Sequence, residues 1–451
     1  MKLAVVVQRY GADINGGAEL HARYIAELLA KRHQVTVLTT CARDYVTWRN
    51  ERHAGHETVN GIDVHRFPVA HERDPDDFGR RSATVFEERH SVADELAWLD
   101  SEGPTSPALI AHINAAADTD FFLFFSARYH HAYHGCRAVA RKAILVPTAE
   151  RDPALGVSIF APVFRGVRAI MYNSPEERAL INGVSNNQHV PGVVVGIGSE
   201  IPARSDGERF RRRHGVHGPF VVYVGRIDEN KGCKELFSFF MQYAATVRTP
   251  PTLVLIGNSI LPIPDSPYVR HLGFLPDEDK FDAIAAAEAL MMPSFFESLS
   301  MVALEAWALG RPVLANGRCD VLRGQCVRSN AGLFYDTFEE FAEALSILTI
   351  DTDLSGALGR NGRAFYERHY TWPVIERRYD DMLTLVASSP PAAAMEDEPG
   401  WLSARSRTVP AARAVIDALP RGPALEPRPP ARPSVRSRRR HLGPIGREGL
   451  A

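Results

Sequence analysis

Residues 291–315, MMPSFFESLSMVALEAWALGRPVLA, place two acids, Glu297 and Glu305, eight positions apart in a run that is otherwise small or apolar. The run reads as strand, tight loop, helix, turn, strand. A helix beginning near Ser298 would put Glu297 at its mouth and Glu305 about two turns in. At ~1.5 Å rise per residue their Cα atoms would then lie roughly 10–12 Å apart. The plain interpretation makes one acid a helix cap and leaves the other solvated. The sharper one has both grip a single elongated ligand. The first-turn N–H groups and the positive helix end would take a phosphate, and the carboxylates would accept from sugar hydroxyls on either side of it.

Two further loops carry matching chemistry. In VGRIDENKG (224–232), Arg226 and Lys231 lie five residues apart between Gly225 and Gly232. Arginine brings a planar donor fork and lysine a mobile point charge, so the two can converge on a diphosphate. In QRYGADINGGAEL (8–20), Gly16 and Gly17 precede a helical pattern, where a backbone without Cβ atoms lets a ligand come close. Seen alone, either loop could be merely structural.

The elements that must position these loops alternate along the chain. KLAVVVQ, QVTVLTT, DFFLFFS, AILVPT and AIMYNS are short apolar strands of the buried parallel type, with helical patterns between them. ETVNGIDVHRFPV reads as a hairpin about Asn60-Gly61. After the polar stretch PARSDGERFRRRHG the alternation resumes with PFVVYVG, PTLVLIG, VRHLGF, ALMMPS and RPVLA. Helices are expected over 77–100 and from near Gly232, Asp277, Ser298, Thr337 and Asp351. The expected class is α/β, with two Rossmann-like lobes facing a central cleft. The expected divisions are 1–200, 201–371, a helix 372–388 crossing back to the first lobe, and a tail 389–451.

At this point the sequence resembles a family. VGRIDENKG, HLGFLPDEDK and PSFFESLSMVALEAWALGRPVLA, in that order, are similar to the retaining family 4 glycosyltransferases of the GT-B fold, whose signature is Glu, seven residues, Glu. GGAE matches their glycine loop, and LGRNGRAFYERHYTWPVIERRYDDML their C-terminal end, so the resemblance spans about residues 1–386. It implies sugar transfer from a nucleotide-sugar to an acceptor hydroxyl, in polysaccharide or glycoconjugate synthesis, with a glycan, lipid-linked or small-molecule acceptor. It implies that Arg226 and Lys231 neutralise the diphosphate, that Glu305 holds ribose, and that Glu297 contacts the hexose beside backbone N–H groups of Leu299, Ser300 and Met301. Gly16 and Gly17 would approach from the other lobe. The family's frequent N-lobe histidine has no single counterpart. The loop FFSARYHHAYHG offers Arg128, Tyr129, His130, His131 and His134, and VPTAERDPAL adds Glu150, Arg151 and Asp152. These are candidates for acceptor or sugar contacts, or for simple pairing with one another. Ser300 stands where a glycine or proline is frequent. A nucleotide-sugar epimerase of the same fold and a non-catalytic nucleotide-sugar-binding protein are the alternatives.

No cofactor and no metal is expected, since Arg226 and Lys231 can carry the diphosphate charge. The Asp-x-Asp triplets 118–120 and 351–353 are short enough to arise by chance, and the first precedes its strand. Composition points the same way. The 451 residues carry a net charge of −2 and 45% hydrophobic residues, which suggests a globular protein without a nucleic-acid partner. FFLFF is far short of the ~20 apolar residues of a membrane span. The N-terminal apolar run lacks a signal-peptide cleavage site. Five cysteines without a CxxC fit a reducing cytoplasm. The tail from Ser389 holds eleven prolines and eleven arginines against six acids. That composition reads as disordered, with RSRRRH giving weak attraction to an anionic membrane face.

Overall fold

The computed structural model describes residues 1–14, 16–390, 395 and 418–419. Residues 1–406 form one compact unit and 407–451 a second, of which only Ala418 and Leu419 are described. The expected disorder and basic patch of the tail lie outside the described residues.

Among the described residues, fourteen strands build two sheets, both within the first unit. β1 (Lys2–Val6), β2 (Gln34–Thr40), β3 (Gly55–Val59), β4 (Ile62–Phe67), β5 (Phe121–Phe125), β6 (Ala143–Val146), β7 (Ala169–Tyr172) and β8 (Gly192–Val194) make the first, in the order β3-β4-β2-β1-β5-β6-β7-β8. β9 (Phe220–Val224), β10 (Thr252–Ile256), β11 (Val269–His271), β12 (Leu290–Met292), β13 (Val313–Asn316) and β14 (Gly332–Tyr335) make the second, in the order β11-β10-β9-β12-β13-β14. The described pairings are parallel except for β3 against β4, the hairpin about Asn60-Gly61. Central strands such as Val5-Val6, Phe122–Phe125 and Leu253–Leu255 are fully buried, because helices cover both sheet faces.

Strand order reverses at β1/β5 in the first sheet and at β9/β12 in the second. Loops leaving the carboxyl ends of strands at such a reversal splay apart and open a crevice. The glycine loop follows β1, the Arg226–Lys231 loop follows β9, and the Glu297 loop follows β12.

The last long helix, Trp372–Ser388, leaves the second lobe and lies on the first. Asp380 accepts from Arg32 at 2.7 Å, and Arg378 donates to the Val195 carbonyl at 2.7 Å. The Arg168 guanidinium caps the helix end by donating to the carbonyls of Val386, Ser389 and Pro390. Met395 packs against the first lobe beside Gly166, where an added Cβ would lie 2.5 Å from its side chain. Ordered packing therefore extends past the expected limit at 388. No helix among the described residues is long and apolar enough to cross a membrane.

Three expectations need correction. Residues 77–100 form parts of two helices, Pro75–Glu87 and Val92–Glu102, because Ser91 starts a new capping box with Asp94. A helix at Asp320–Ser329 and strand β14 were not foreseen. β14 is four residues long on the sheet edge and only partly buried, so it lacks the continuous apolar run of an inner strand. The helix expected from Ser298 starts at Met301.

Candidate active site

That late start follows from Ser300. Its backbone is extended (φ −93°, ψ 105°), and its hydroxyl accepts from the Ala303 N–H as the helix cap. Glu297 is therefore not the cap and sits four residues before the first helical residue. Glu305 is in the second turn, about one turn from the start. Ser298 is turned toward the first lobe, where it accepts from Asn173 Nδ2 at 3.4 Å. Leu299 is buried and Met301 half-buried.

The two acids face different neighbours. Glu297 accepts from the Lys231 ammonium at 2.7 Å, joining residues 66 positions apart. That meeting depends on Gly232, whose φ is +71° and where a Cβ would lie 2.0 Å from the Pro293 carbonyl oxygen. The Lys231 pKa is raised: burial would lower it, but the carboxylates of Glu297 and Glu150 outweigh burial. Glu305 is buried; its Oε1 accepts from the Ser199 hydroxyl at 2.7 Å and from Lys280 at 3.2 Å. Its Oε2 is buried with no hydrogen-bond partner among the described residues.

Asp228 organises the loop after β9. One oxygen accepts from the Lys231 backbone N–H at 2.7 Å, and the other pairs with Arg226 Nε. Arg226 Nη1 donates to the Tyr45 hydroxyl at 2.7 Å across the cleft, with the Tyr45 ring 5.4 Å from its guanidinium. Arg9 lies 5.5 Å from the same ring. In the glycine loop, the Glu19 carboxylate, paired with Arg9 at 2.6 Å, lies only 2.2 Å from where a Gly16 Cβ would stand. A Cβ at Gly17 would meet nothing within 4 Å. Gly16 thus makes room for an ion pair, whereas Gly17 borders open space.

The rim residues of the first lobe divide in the same way. Arg128 is held at 2.8 Å by both Glu102 and Asp152. His131 is fully buried with Nε2 2.8 Å from the Phe125 carbonyl, and burial pushes its pKa down to about 4. His130 is buried beside His134 with its pKa pushed down to about 3, by burial first and neighbouring histidines second. Glu150 instead lines a cavity of about 600 Å³ together with Arg151, Glu176, Phe296, Glu297 and Asp320. Burial and the facing Glu297 charge push its pKa up to about 7, against Lys231 and Arg128. Arg151 pairs with Asp320 at 2.5 Å and Glu176 with Arg328, so charged side chains bridge the lobes along this rim.

The Asp-x-Asp triplets lie elsewhere. Asp118 and Asp120 contact Lys2 at the amino-terminal end of β1, away from the carboxyl-end loops, and Asp351 caps a helix through the Leu354 N–H. Sequence reading missed Tyr45, Ser199, Lys280 and Asp228. Only Asp228 left a signal, as the acid between two cations. The others arrive from distant segments.

Comparison with known proteins gives the assembly its context. Residues 218–351 match the family described as Glycosyl transferases group 1. The D-inositol 3-phosphate glycosyltransferase of Corynebacterium urealyticum is 24% identical over 424 residues, 87% of this chain and 96% of that protein. Its counterpart in Corynebacterium kroppenstedtii is 29% identical over 194 residues, 39% of this chain and only 43% of that protein. An Anabaena protein, HepE, solved in complex with UDP-glucose, superposes with a TM-score of 0.62 at 19% identity, over 85% of this chain and all of that one. Residues 218–351 of the second lobe thus resemble the group 1 glycosyltransferases, and the chain as a whole shares the GT-B fold.

Proposed function

We propose that the chain moves a sugar from a nucleotide-sugar to an acceptor hydroxyl with retention of configuration and without a metal. The observation that carries this reading is the meeting of Lys231 with Glu297 at the mouth of the Met301–Ala308 helix. A diphosphate laid there would meet Lys231, Arg226 and the N–H groups of the first helical turn, all before the leaving group forms. Charge stabilisation arranged in advance is what lowers such a barrier. Binding would take Lys231 from Glu297 and Arg226 from Tyr45, freeing Glu297 to contact the hexose. The unpartnered Oε2 of Glu305 would accept from ribose, and Gly17 would let the first-lobe backbone approach. The acceptor would enter by the cavity lined by Glu150 and Phe296, where closure of the lobes orients its hydroxyl. Arg128, His130 and His131 would support that wall rather than touch substrate.

UDP-glucose is the first donor to test, because HepE was solved with it. Small phosphorylated polyols are the first acceptors, after the named Corynebacterium relatives. A cytoplasmic location suits five cysteines that are all free and buried. A panel of nucleotide-sugars in a thermal-shift assay tests the reading, since a bound donor stabilises the folded state by mass action. One nucleotide-sugar should raise the melting temperature, and transfer should persist in excess EDTA. No shift with any of them, or activity abolished by EDTA and restored by magnesium or manganese, would overturn it. Donor incubated alone should yield no sugar isomers.

A further inference from the structure

On the edge hairpin of the first sheet, far in sequence from the cleft loops, His56, Asp63 and His65 gather on one face. The register makes the arrangement inevitable. His56 on β3 is the direct partner of His65 on β4, and Asp63 precedes His65 by two, so all three side chains stand on the same side of the pleat. The other side of β4, with Ile62, Val64 and Arg66, is buried. The two imidazole rings have centroids 3.6 Å apart. The Asp63 carboxylate reaches both rings, with Oδ2 3.0 Å from His65 Nε2 and Oδ1 3.9 Å from His56 Nδ1. One ligand atom from each residue lies within 4.8 Å of the other two. His112, from the helix Pro107–Ala115, closes one flank with its ring 5.5 Å from that of His65.

We propose that His56, Asp63 and His65 bind a divalent transition-metal ion of the zinc type, unrelated to sugar transfer. Tetrahedral zinc holds imidazole nitrogen at ~2.0–2.1 Å and carboxylate oxygen at ~2.0–2.2 Å, which separates neighbouring ligand atoms by roughly 3.2–3.6 Å. The ligand atoms, within 4.8 Å of one another, would draw together onto the ion by side-chain rotation. Two imidazoles and one carboxylate suit zinc, cobalt or nickel better than magnesium or calcium, which prefer all-oxygen sets. Three protein ligands leave a fourth position for water. The ion would cross-link β3 to β4. β3 is the exposed edge of its sheet, and its side chains are exposed except for the partly buried Val59. Edge strands are the first to fray and the most open to unwanted pairing. Arg66, also on β4, donates to the Tyr10 carbonyl in the loop that leads to Gly16, so a firmer hairpin also steadies that loop.

The test is calorimetric titration of zinc ion into the metal-free full-length protein, beside His56→Gln and Asp63→Asn variants. Melting curves without metal check that the variants fold, which the exposure of both residues favours. Wild type should bind one zinc per chain and melt at higher temperature with it, and both variants should lose that binding and that shift. Cobalt should give visible absorption bands in wild type only. Identical titrations for wild type and folded variants would place zinc elsewhere and overturn the proposal, as would the absence of any binding to wild type.

Discussion

The two lobes present cations to the same cleft and use them differently. In the loop after β9, Arg226 and Lys231 each have one partner that a substrate can replace, a tyrosine hydroxyl from the opposite lobe and a carboxylate at the helix mouth, while the buried Asp228 anchors Arg226 from its own loop. In the loop after β5, Arg128 is locked by two acids, one of them the buried Glu102, which also pairs with Arg73 at 2.9 Å. A cation held wholly by acids of its own lobe is part of the scaffold. A cation with at least one partner that a ligand can replace is available to that ligand. By this criterion charge alone does not mark a site; a partner that can be exchanged for a ligand does.

The comparison can be broken most sharply at Glu297. Glu297→Gln keeps the shape and removes the charge, and should cut turnover on the order of 10²-fold or more while nucleoside diphosphate affinity barely changes. Steady-state rates beside calorimetry check this; equal losses in both would merge the roles of the two acids. Next in size is Glu305→Ala. It should weaken nucleoside diphosphate and nucleotide-sugar alike by about 1.5–3 kcal/mol, the value of a lost charge-assisted hydrogen bond. Unchanged affinity for both ligands would remove ribose from Glu305.

Arg128→Ala tests the other half. It strips one partner from a buried carboxylate and should cost about 1–3 kcal/mol of stability, with turnover per folded molecule preserved. Lost turnover at full stability would move Arg128 from scaffold to substrate.

Glu150 gives a smaller, pH-dependent effect. Its folded pKa is raised to about 7, so it stays protonated in mild acid and ionises as the pH passes neutrality. Ionisation adds a negative charge facing the diphosphate. Affinity for nucleoside diphosphate should therefore fall roughly threefold to tenfold from pH 6 to pH 8, and Glu150→Gln should flatten that slope. A slope that survives the substitution would assign it to another group.

The smallest effect concerns the tail. Truncation after Leu402 should leave melting temperature and rate unchanged. Truncation after Ser389 removes Met395 and a carbonyl that Arg168 uses, and should cost about 1 kcal/mol. A large drop for the longer form would mean that packing continues beyond Leu402.

Much of the second lobe was legible because its chemistry is local. Arg226 and Lys231 share one loop, Glu297 and Glu305 one strand-helix unit, and continuous apolar runs followed by helical patterns place both units at strand ends. The helix starts three residues later than expected because Ser298 and Ser300 are equally good caps by type; in the fold Ser300 caps the Ala303 N–H while Ser298 faces Asn173. Glu305 illustrates what was not legible: its partners Ser199 and Lys280 come from segments 106 and 25 residues away. The three histidines at 130–134 looked chemical by type, but which of them meets solvent depends on how the helix His130–Ala138 seats on β5. No local pattern encodes that.

The helix Trp372–Ser388 has a consequence for synthesis. The first lobe's last strand ends at Val194, yet the helix that completes its surface begins 178 residues later (372 − 194). The Arg32–Asp380 bond closes across 348 residues. At ~5–20 residues per second, a ribosome would hold a finished first sheet for roughly 10–35 s before its covering helix is made. During that interval Tyr24, Val195 and the Arg168 guanidinium lack the partners they have in the folded chain. The growing chain would expose an apolar face through the whole synthesis of the second lobe, and would be a natural client for a chaperone until its final turn of helix emerges.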